Sequence, residues 1–147
     1  MAKRDKKTKP AHMPRNEKYS CKGFQPDSFF DKAPCWRFHQ MDKERWSPVG
    51  YIDSITEKLS NYEKMTWAEI DGASKSTKGS PHHFISVNDM IKEARERLDL
   101  LHLTYEQYYS IALTGRIRLW GVLEDGIFHI LWYDPNHEVC PSNKQHT

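Results

Sequence analysis

The chain has 147 residues, the length of one domain, and its 22 Lys and Arg residues nearly balance its 20 Asp and Glu residues. No apolar run approaches the ~18 residues of a membrane helix, and no apolar segment follows the basic N-terminus as it would in a secretory signal. Three cysteines, Cys21, Cys35 and Cys140, are too few for a disulfide framework. We therefore expect a cytoplasmic protein with no membrane partner.

The positive charge is concentrated at the N-terminus. Residues 1–18 hold seven Lys and Arg against two Asp and Glu and contain no aromatic residue, whereas the remainder has a net charge of −3. Such a segment buries too little apolar surface to offset its ordering entropy. The composition predicts a disordered basic arm over 1–18 and a single compact domain over 19–147. The arm either attracts nucleic-acid phosphates or serves as a solubilising tail.

The first half of the domain changes from an aromatic segment to helices. Residues 19–50 are rich in aromatic residues and proline, and the alternation around Trp36 predicts a short strand. The apolar spacing over 52–62 predicts a helix, and Trp67 marks the start of a second, short one. Residues 71–81 are polar and rich in Gly and Ser, so we expect a mobile loop.

The next elements are a strand and two predicted helices. Residues 82–87 favour a strand, after which Ser86 or Asn88 caps a helix whose buried stripe has helical spacing. Thr104-x-x-Gln107 then matches a capping box. This pattern predicts a further helix that ends at Gly115.

A β-hairpin closes the chain, because Asp125-Gly126 is a strong two-residue turn signal. Pairing outward from that turn places two groups of side chains on opposite faces. The expected core face carries Ile117, Leu119, Leu123, Phe128, Ile130 and Trp132. The other face, which we call the mixed face, carries Arg116, Arg118, Trp120, Val122, His129, Leu131 and Tyr133. Gly121 leaves room for a ring or marks a bulge. The fold class expected is α+β, a small antiparallel sheet with a C-terminal hairpin packed against three or four helices.

The mixed face combines side chains that suit RNA. Arg116 and Arg118 project in the same direction and offer bidentate phosphate contacts, while Trp120 and Tyr133 offer rings for stacking bases. His129 can move a proton near neutral pH. These are the components of a metal-independent ribonuclease. The alternative is a half-exposed sheet face whose side chains pack against a helix.

Three further histidines, His82, His83 and His137, are candidates for a site. Asp134-Pro-Asn is typical of a turn, and it places His137 at the end of the last strand. His82 and His83 point to opposite sides of a strand, so one of them can face a site. The cysteines and histidines have no recognised zinc spacing, and we expect no metal and no cofactor.

The sequence of the hairpin also resembles that of a known group of proteins. The segments Arg116-Ile-Arg-Leu-Trp-Gly121 and Ile127-Phe-His-Ile-Leu-Trp132-Tyr-Asp-Pro-Asn-His137 resemble the tail of a family of small uncharacterised proteins from bacteria and mobile elements. Trp36-Arg37-Phe38 and the helix bearing Arg95 and Arg97 are similar to earlier parts of that pattern. More generally, helices followed by an Arg-bearing hairpin are similar to the RelE-type toxins. That likeness implies a ribosome-dependent messenger-RNA endonuclease.

The sequence therefore predicts a toxin-like protein of a mobile element that binds or cleaves RNA. Its partners would be RNA, including RNA on the ribosome, and an antitoxin protein. The predicted catalytic residues are His129, His137 and Arg118, and the predicted RNA-binding residues are Arg116, Arg118, Trp120, Tyr133 and Arg95. The main alternative is a non-enzymatic protein-interaction module, such as a phage or plasmid accessory protein. A metal-dependent nuclease is a third option.

Overall fold

The computed structural model describes residues 29–73 and 80–141. The expected basic arm, Cys21 and the middle of the expected loop at 71–81 lie outside the described residues. Within the two described ranges, no helix is long and apolar enough to cross a bilayer.

The described residues form five strands and three α-helices, with one-turn 3-10 helices at Val49–Tyr51 and Val87–Asp89. In chain order the main elements are β1 (Cys35–Arg37), α1 (Ile52–Tyr62), α2 (Trp67–Ala73), β2 (His83–Ser86), α3 (Lys92–Leu100), β3 (Gln107–Ala112), β4 (Arg118–Glu124) and β5 (Ile127–Asp134).

The five strands make one sheet in the order β1-β5-β4-β3-β2. The pair β1–β5 is parallel, and the other neighbouring pairs are antiparallel. The expected α+β fold is confirmed, as is the hairpin that β4 and β5 form at the centre of this sheet.

Helix α2 begins at a side-chain cap, whereas the N-cap side chains of α1 and α3 make no capping hydrogen bond. At α2 the amide of Glu69 donates to Thr66 Oγ1 at 3.1 Å, and the amide of Thr66 donates to Glu69 Oε1 at 2.9 Å. This is a reciprocal capping box. The side chain of Ser86, one of the two expected caps, accepts from the Asn88 amide at 3.2 Å. It therefore caps the 3-10 turn that precedes α3, and Ile91 is the N-cap of α3 itself.

The predicted hairpin register is confirmed from the turn up to the pair Gly121–Ile130 and is wrong beyond it. A β-bulge between Trp120 and Gly121 makes Trp120 pair with Trp132 instead of Leu131. Two residues of β5 then share one face, and every later side chain of that strand moves to the face opposite the one expected.

Gly121 explains why the strands come so close at this point. A Cβ atom on Gly121 would lie 2.1 Å from the carbonyl oxygen of His129. The bulge exchanges the places expected for Trp132 and Tyr133. Trp132 packs with Trp120 on one face of the sheet, and Tyr133 lies on the other.

The segment predicted as a helix between Thr104 and Gly115 is strand β3, so that prediction was wrong. Four consecutive residues of β3, from Tyr108 to Ile111, are buried. A strand covered on both faces shows no alternation of polar and apolar residues, so its period of two is hidden. The match to a capping box was fortuitous, because tertiary burial favours the extended form of this aromatic segment.

Both faces of the sheet are covered, which corrects the expectation of a half-exposed mixed face. The first cluster, under α1 and α2, consists of Phe29, Ile55, Leu59, Trp67, Ile70, Tyr109, Ile111, Leu119, Leu123, Phe128, Ile130 and Tyr133. The second, under α3, consists of Trp46, Met90, Ala94, Leu98, Tyr108, Trp120, Val122, Leu131, Trp132 and Val139. The central strands β3 and β4 contribute to both clusters.

A buried carboxylate fixes the loop after β1 to the second cluster. Asp42 accepts two hydrogen bonds from Arg97, at 2.7 and 2.9 Å, and one from the indole of Trp132 at 2.9 Å. The amides of Glu44 and Arg45 also donate to it. Burial alone would raise the pKa of Asp42, but these hydrogen bonds outweigh it and lower that pKa.

Candidate functional site

A cleft of about 650 Å³ opens beside the edge strand β2. We call it the Arg118 cleft. Its walls come from β2, the following 3-10 turn, β3, β4 and the segment after β5. The lining residues are His83, Ile85, Asp89, Met90, Ile91, Ser110, Arg118, Trp120, His137, Cys140 and Pro141. Its volume lies in the range of ordinary small-molecule sites.

Arg118 begins β4 and is half-buried in this cleft. Its Nη1 donates to the carbonyl oxygens of Gly115 at 2.8 Å and Ile117 at 3.1 Å. Among the described residues, no carboxylate forms an ion pair with it. Burial lowers the pKa of Arg118, and the charge of Asp134 opposes this effect, but an arginine remains a cation at any physiological pH. The guanidinium is therefore a fixed positive charge that faces the cleft.

The turn after β5 brings His137 to the same cleft. Asp134 is fully buried and accepts from the amides of Glu138 at 2.8 Å and Val139 at 2.9 Å, and from the indole of Trp120. These bonds hold the predicted Asp-Pro-Asn turn closed. His137 adopts a positive φ of 59° within it. Asp134 thus has a structural role, and it places His137 among the cleft-lining side chains.

The adjacent histidines at the start of β2, His82 just before it and His83 within it, point to opposite sides as predicted. His83 is exposed and lines the cleft. His82 is buried on the opposite side, where its Nδ1 accepts from the amide of Ala112 at 3.1 Å and its ring meets Tyr62 edge-to-face. Only one of the pair therefore belongs to the site.

The charges in the cleft interact. Desolvation by the surrounding protein lowers the pKa of His83, even though its side chain keeps access to solvent. The cation of Arg118 lowers that pKa further, and so does His137, whereas Asp71 opposes the change. These interactions favour a neutral His83 imidazole at neutral pH, which is the form that accepts a proton.

Two of the predicted aromatic residues are buried within the fold and lie on opposite faces of the sheet. Trp120 is only 1% exposed and forms part of the cleft wall. Tyr133 is displaced to the other face by the bulge, where it stacks on Tyr51 with ring centroids 4.1 Å apart. Tyr133 therefore does not share a surface with Trp120, contrary to the expectation.

The other two predicted arginines lie outside the cleft wall. Arg116 is exposed in the turn between β3 and β4. Arg95 is exposed on α3, and its Nε donates to the carbonyl oxygen of Met90 at 3.3 Å. Because Met90 lines the cleft, Arg95 lies near its rim, whereas Arg116 does not contact it.

His129 is not among the residues that line the cleft. It pairs with Arg37 of β1 on one side and with Val122 of β4 on the other, so it lies toward the opposite edge of the sheet. Its ring packs edge-to-face against His39 at 5.6 Å. Burial lowers the pKa of His129, and the neighbouring His39 and Arg37 lower it further. The structure thus unites Arg118 and His137 without His129, and adds His83.

Three other polar residues of the cleft were not among the predicted site residues. Ser110 was hidden because β3 was predicted as a helix. Asp89 ends the one-turn 3-10 helix Val87–Asp89 and Cys140 follows β5, and neither stretch carries a periodic signal. Across residues 29–73 and 80–141, no three side chains of His, Cys, Asp or Glu converge as the ligands of a metal ion would.

No protein-family model matches the chain, and comparison with curated proteins and with solved structures likewise finds no match.

Proposed function

We propose that the chain binds single-stranded RNA in the Arg118 cleft and cleaves it by acid–base catalysis without a metal. One observation carries the proposal: an arginine with no carboxylate partner among the described residues lines the same cleft as two histidines. The three residues come from separate parts of the chain, namely β2, β4 and the turn after β5.

Arg118 supplies the phosphate contact. Its guanidinium has donors beyond the Nη1 group that the backbone carbonyls engage. Arginine donates to two phosphate oxygens at once, and its charge stabilises the extra negative charge of a phosphorane-like transition state. The partial burial of Arg118 strengthens this interaction because less water screens it.

His83 and His137 supply proton transfer. A neutral His83 takes the proton of the ribose 2′-hydroxyl, whose oxygen then bonds to phosphorus. The bond between phosphorus and the 5′-oxygen of the next nucleotide breaks as His137 gives a ring proton to that oxygen. The products are a 2′,3′-cyclic phosphate and a 5′-hydroxyl, so the step needs no further reactant.

The test uses the full chain with a labelled single-stranded RNA that contains all four nucleotides, at low salt and in the presence of a chelator. Wild-type protein should bind and cleave it. Arg118→Ala should weaken binding and reduce the salt slope by about 0.7, the value for one phosphate on a single strand. His137→Asn should bind RNA normally and lose cleavage by about 100-fold or more, the usual contribution of a general acid.

A matched control is available because His102 also adopts a positive φ, of 60°, and is exposed. Asparagine tolerates this conformation, so His102→Asn and His137→Asn make the same change in the same backbone geometry. The control variant should remain fully active. Equal loss of cleavage in both variants, or the absence of RNA binding by wild-type protein, would refute the proposal in favour of a protein-interaction module.

A toxin-like role, with an antitoxin as partner and a mobile element as context, rests on the resemblance of the hairpin. Induced expression in bacteria tests it directly. Growth should stop and messenger RNA should be degraded with the wild-type chain, and neither effect should occur with His137→Asn. Normal growth together with RNA cleavage in vitro would retain the ribonuclease and reject the toxin.

A further inference from the structure

We infer that Asp89 selects guanine, so that the Arg118 cleft recognises a guanosine nucleotide of the RNA. The inference rests on the proposed function and assigns a role to a carboxylate that this mechanism does not use. Asp89 ends the 3-10 turn after β2, is exposed, and lines the same cleft as Arg118.

The carboxylate of Asp89 is available to a ligand. Among the described residues, no side chain or amide donates a hydrogen bond to it, and no Lys or Arg pairs with it. This distinguishes it from Asp134, which also lies near the cleft but accepts three hydrogen bonds from the protein. A carboxylate offers two oxygens that accept hydrogen bonds.

Along the cleft, cationic, apolar and acidic groups follow one another in an order that matches the parts of a nucleotide. His83 and Ile85 share one side of β2 because they are two residues apart, and the turn that bears Asp89 follows directly. The cationic end therefore lies toward His83 and Arg118, and the carboxylate lies toward the other end of β2. The apolar side chains of Ile85 and Ile91 belong to the same lining. A nucleotide presents the same order: a phosphate, a flat base, and a polar edge on that base.

A single carboxylate in this position distinguishes the four bases. Guanine alone has two adjacent donors on its Watson–Crick edge, the N1–H and the N2 amino group, and they match the two oxygens of a carboxylate. Adenine and cytosine have an acceptor next to their amino group, and the N3–H of uracil lies between two acceptors. A lone pair facing a carboxylate is repelled, so the other three bases lose one contact and gain a repulsion.

The experiment measures binding of the four ribonucleoside 3′-monophosphates to the full chain by calorimetry, with inorganic phosphate as a fifth probe. Guanosine 3′-monophosphate should bind about 10-fold or more tightly than the other three, a difference that one bidentate base contact supplies. Asp89→Asn presents one donor and one acceptor, so this preference should fall below about 3-fold. Affinity for inorganic phosphate should not change.

Asp99→Asn is the matched control, because Asp99 is exposed on α3 and does not line the cleft. It should keep the full preference for guanine. Equal affinity for all four nucleotides would overturn the inference and leave the proposed function intact. Failure of all four nucleotides and of inorganic phosphate to bind would overturn both.

Discussion

Replacing His82 with asparagine should change how the stability of the fold depends on pH. Asparagine keeps an acceptor for the Ala112 amide but has no titratable group. Burial lowers the pKa of His82 from its ordinary 6.5 to about 4. Asp71 opposes this shift, while His83 and Arg118 add to it. His82 is only 4% exposed, and with this lowered pKa its ring is neutral in the folded protein at neutral pH.

The direction of this pH effect depends on the pH at which the folded and the unfolded chain each bind the proton. The unfolded chain protonates His82 below about pH 6.5, whereas the folded chain does so only near pH 4. The contribution of His82 to the free energy of unfolding is therefore fully present above pH 6.5 and falls as the pH is lowered toward 4. The contribution of this one group should decrease by about 2 kcal/mol between pH 7 and pH 5, and by about 3 kcal/mol at pH 4.

Urea unfolding followed by tryptophan fluorescence at pH 7, 6 and 5 measures this effect. Wild-type protein should lose about 2 kcal/mol more than His82→Asn over that interval. His102→Asn, at an exposed histidine, should follow the wild-type curve. If wild-type protein and His82→Asn lost stability in parallel, the neutral buried ring inferred here would be wrong.

Three other predictions concern the sheet and its loops. Gly121→Ala should destabilise the fold by about 3 kcal/mol or prevent folding, because its methyl group would meet a backbone oxygen across the sheet. Gly50→Ala, with no atom within 4 Å of the added carbon, should stay within about 0.5 kcal/mol of wild type when both glycine variants are compared by thermal unfolding. Trp120→Ala and Trp132→Ala should each cost about 3–5 kcal/mol in chemical unfolding, since both rings are buried in the second cluster; a much smaller cost for Trp120 would favour the register without a bulge. Asp42→Asn should destabilise the fold by about 3 kcal/mol in urea unfolding, because Arg97 loses its buried carboxylate partner and keeps only the exposed Glu44, 3.5 Å away. The difference in stability from wild type should narrow as the pH falls below 3.8, because the folded-state pKa of Asp42 lies below this ordinary value. A difference that stayed constant with pH would contradict the ionised pair.

The hairpin shows how far the sequence could be read. The turn at Asp125-Gly126 set the first pairs correctly because a two-residue loop permits only one register. The bulge lies four pairs away and depends on the space next to Gly121, which the turn does not control. The prediction extended the alternation of side chains between the two sheet faces beyond the bulge, where that alternation no longer holds. As a result Trp132 and Tyr133 were each assigned to the wrong face.

The candidate site shows a second limit of the same kind. Arg118 and His137 were selected for their chemistry, and the structure brings them to one cleft. His129 was predicted because it shares a sheet face with Arg118. Side chains on one face of a five-stranded sheet can lie several strands apart, and His129 lies toward the β1 edge, away from the cleft. His83 could not be placed because the sequence does not indicate that β2 is the edge strand beside β3.

The parallel pairing of β1 with β5 has a consequence for the order of folding. Trp36 lies opposite Phe128, 92 positions later in the sequence, and the amide of Asp42 donates to the carbonyl of Leu131. Strand β1 therefore cannot join the sheet until β5 has left the ribosome. Contacts that close so long a loop slow folding, because the chain loses the entropy of loop closure before the contacts stabilise it. During synthesis the aromatic side chains around β1 remain without their native cover, and this interval is when the nascent chain is most exposed to misassociation.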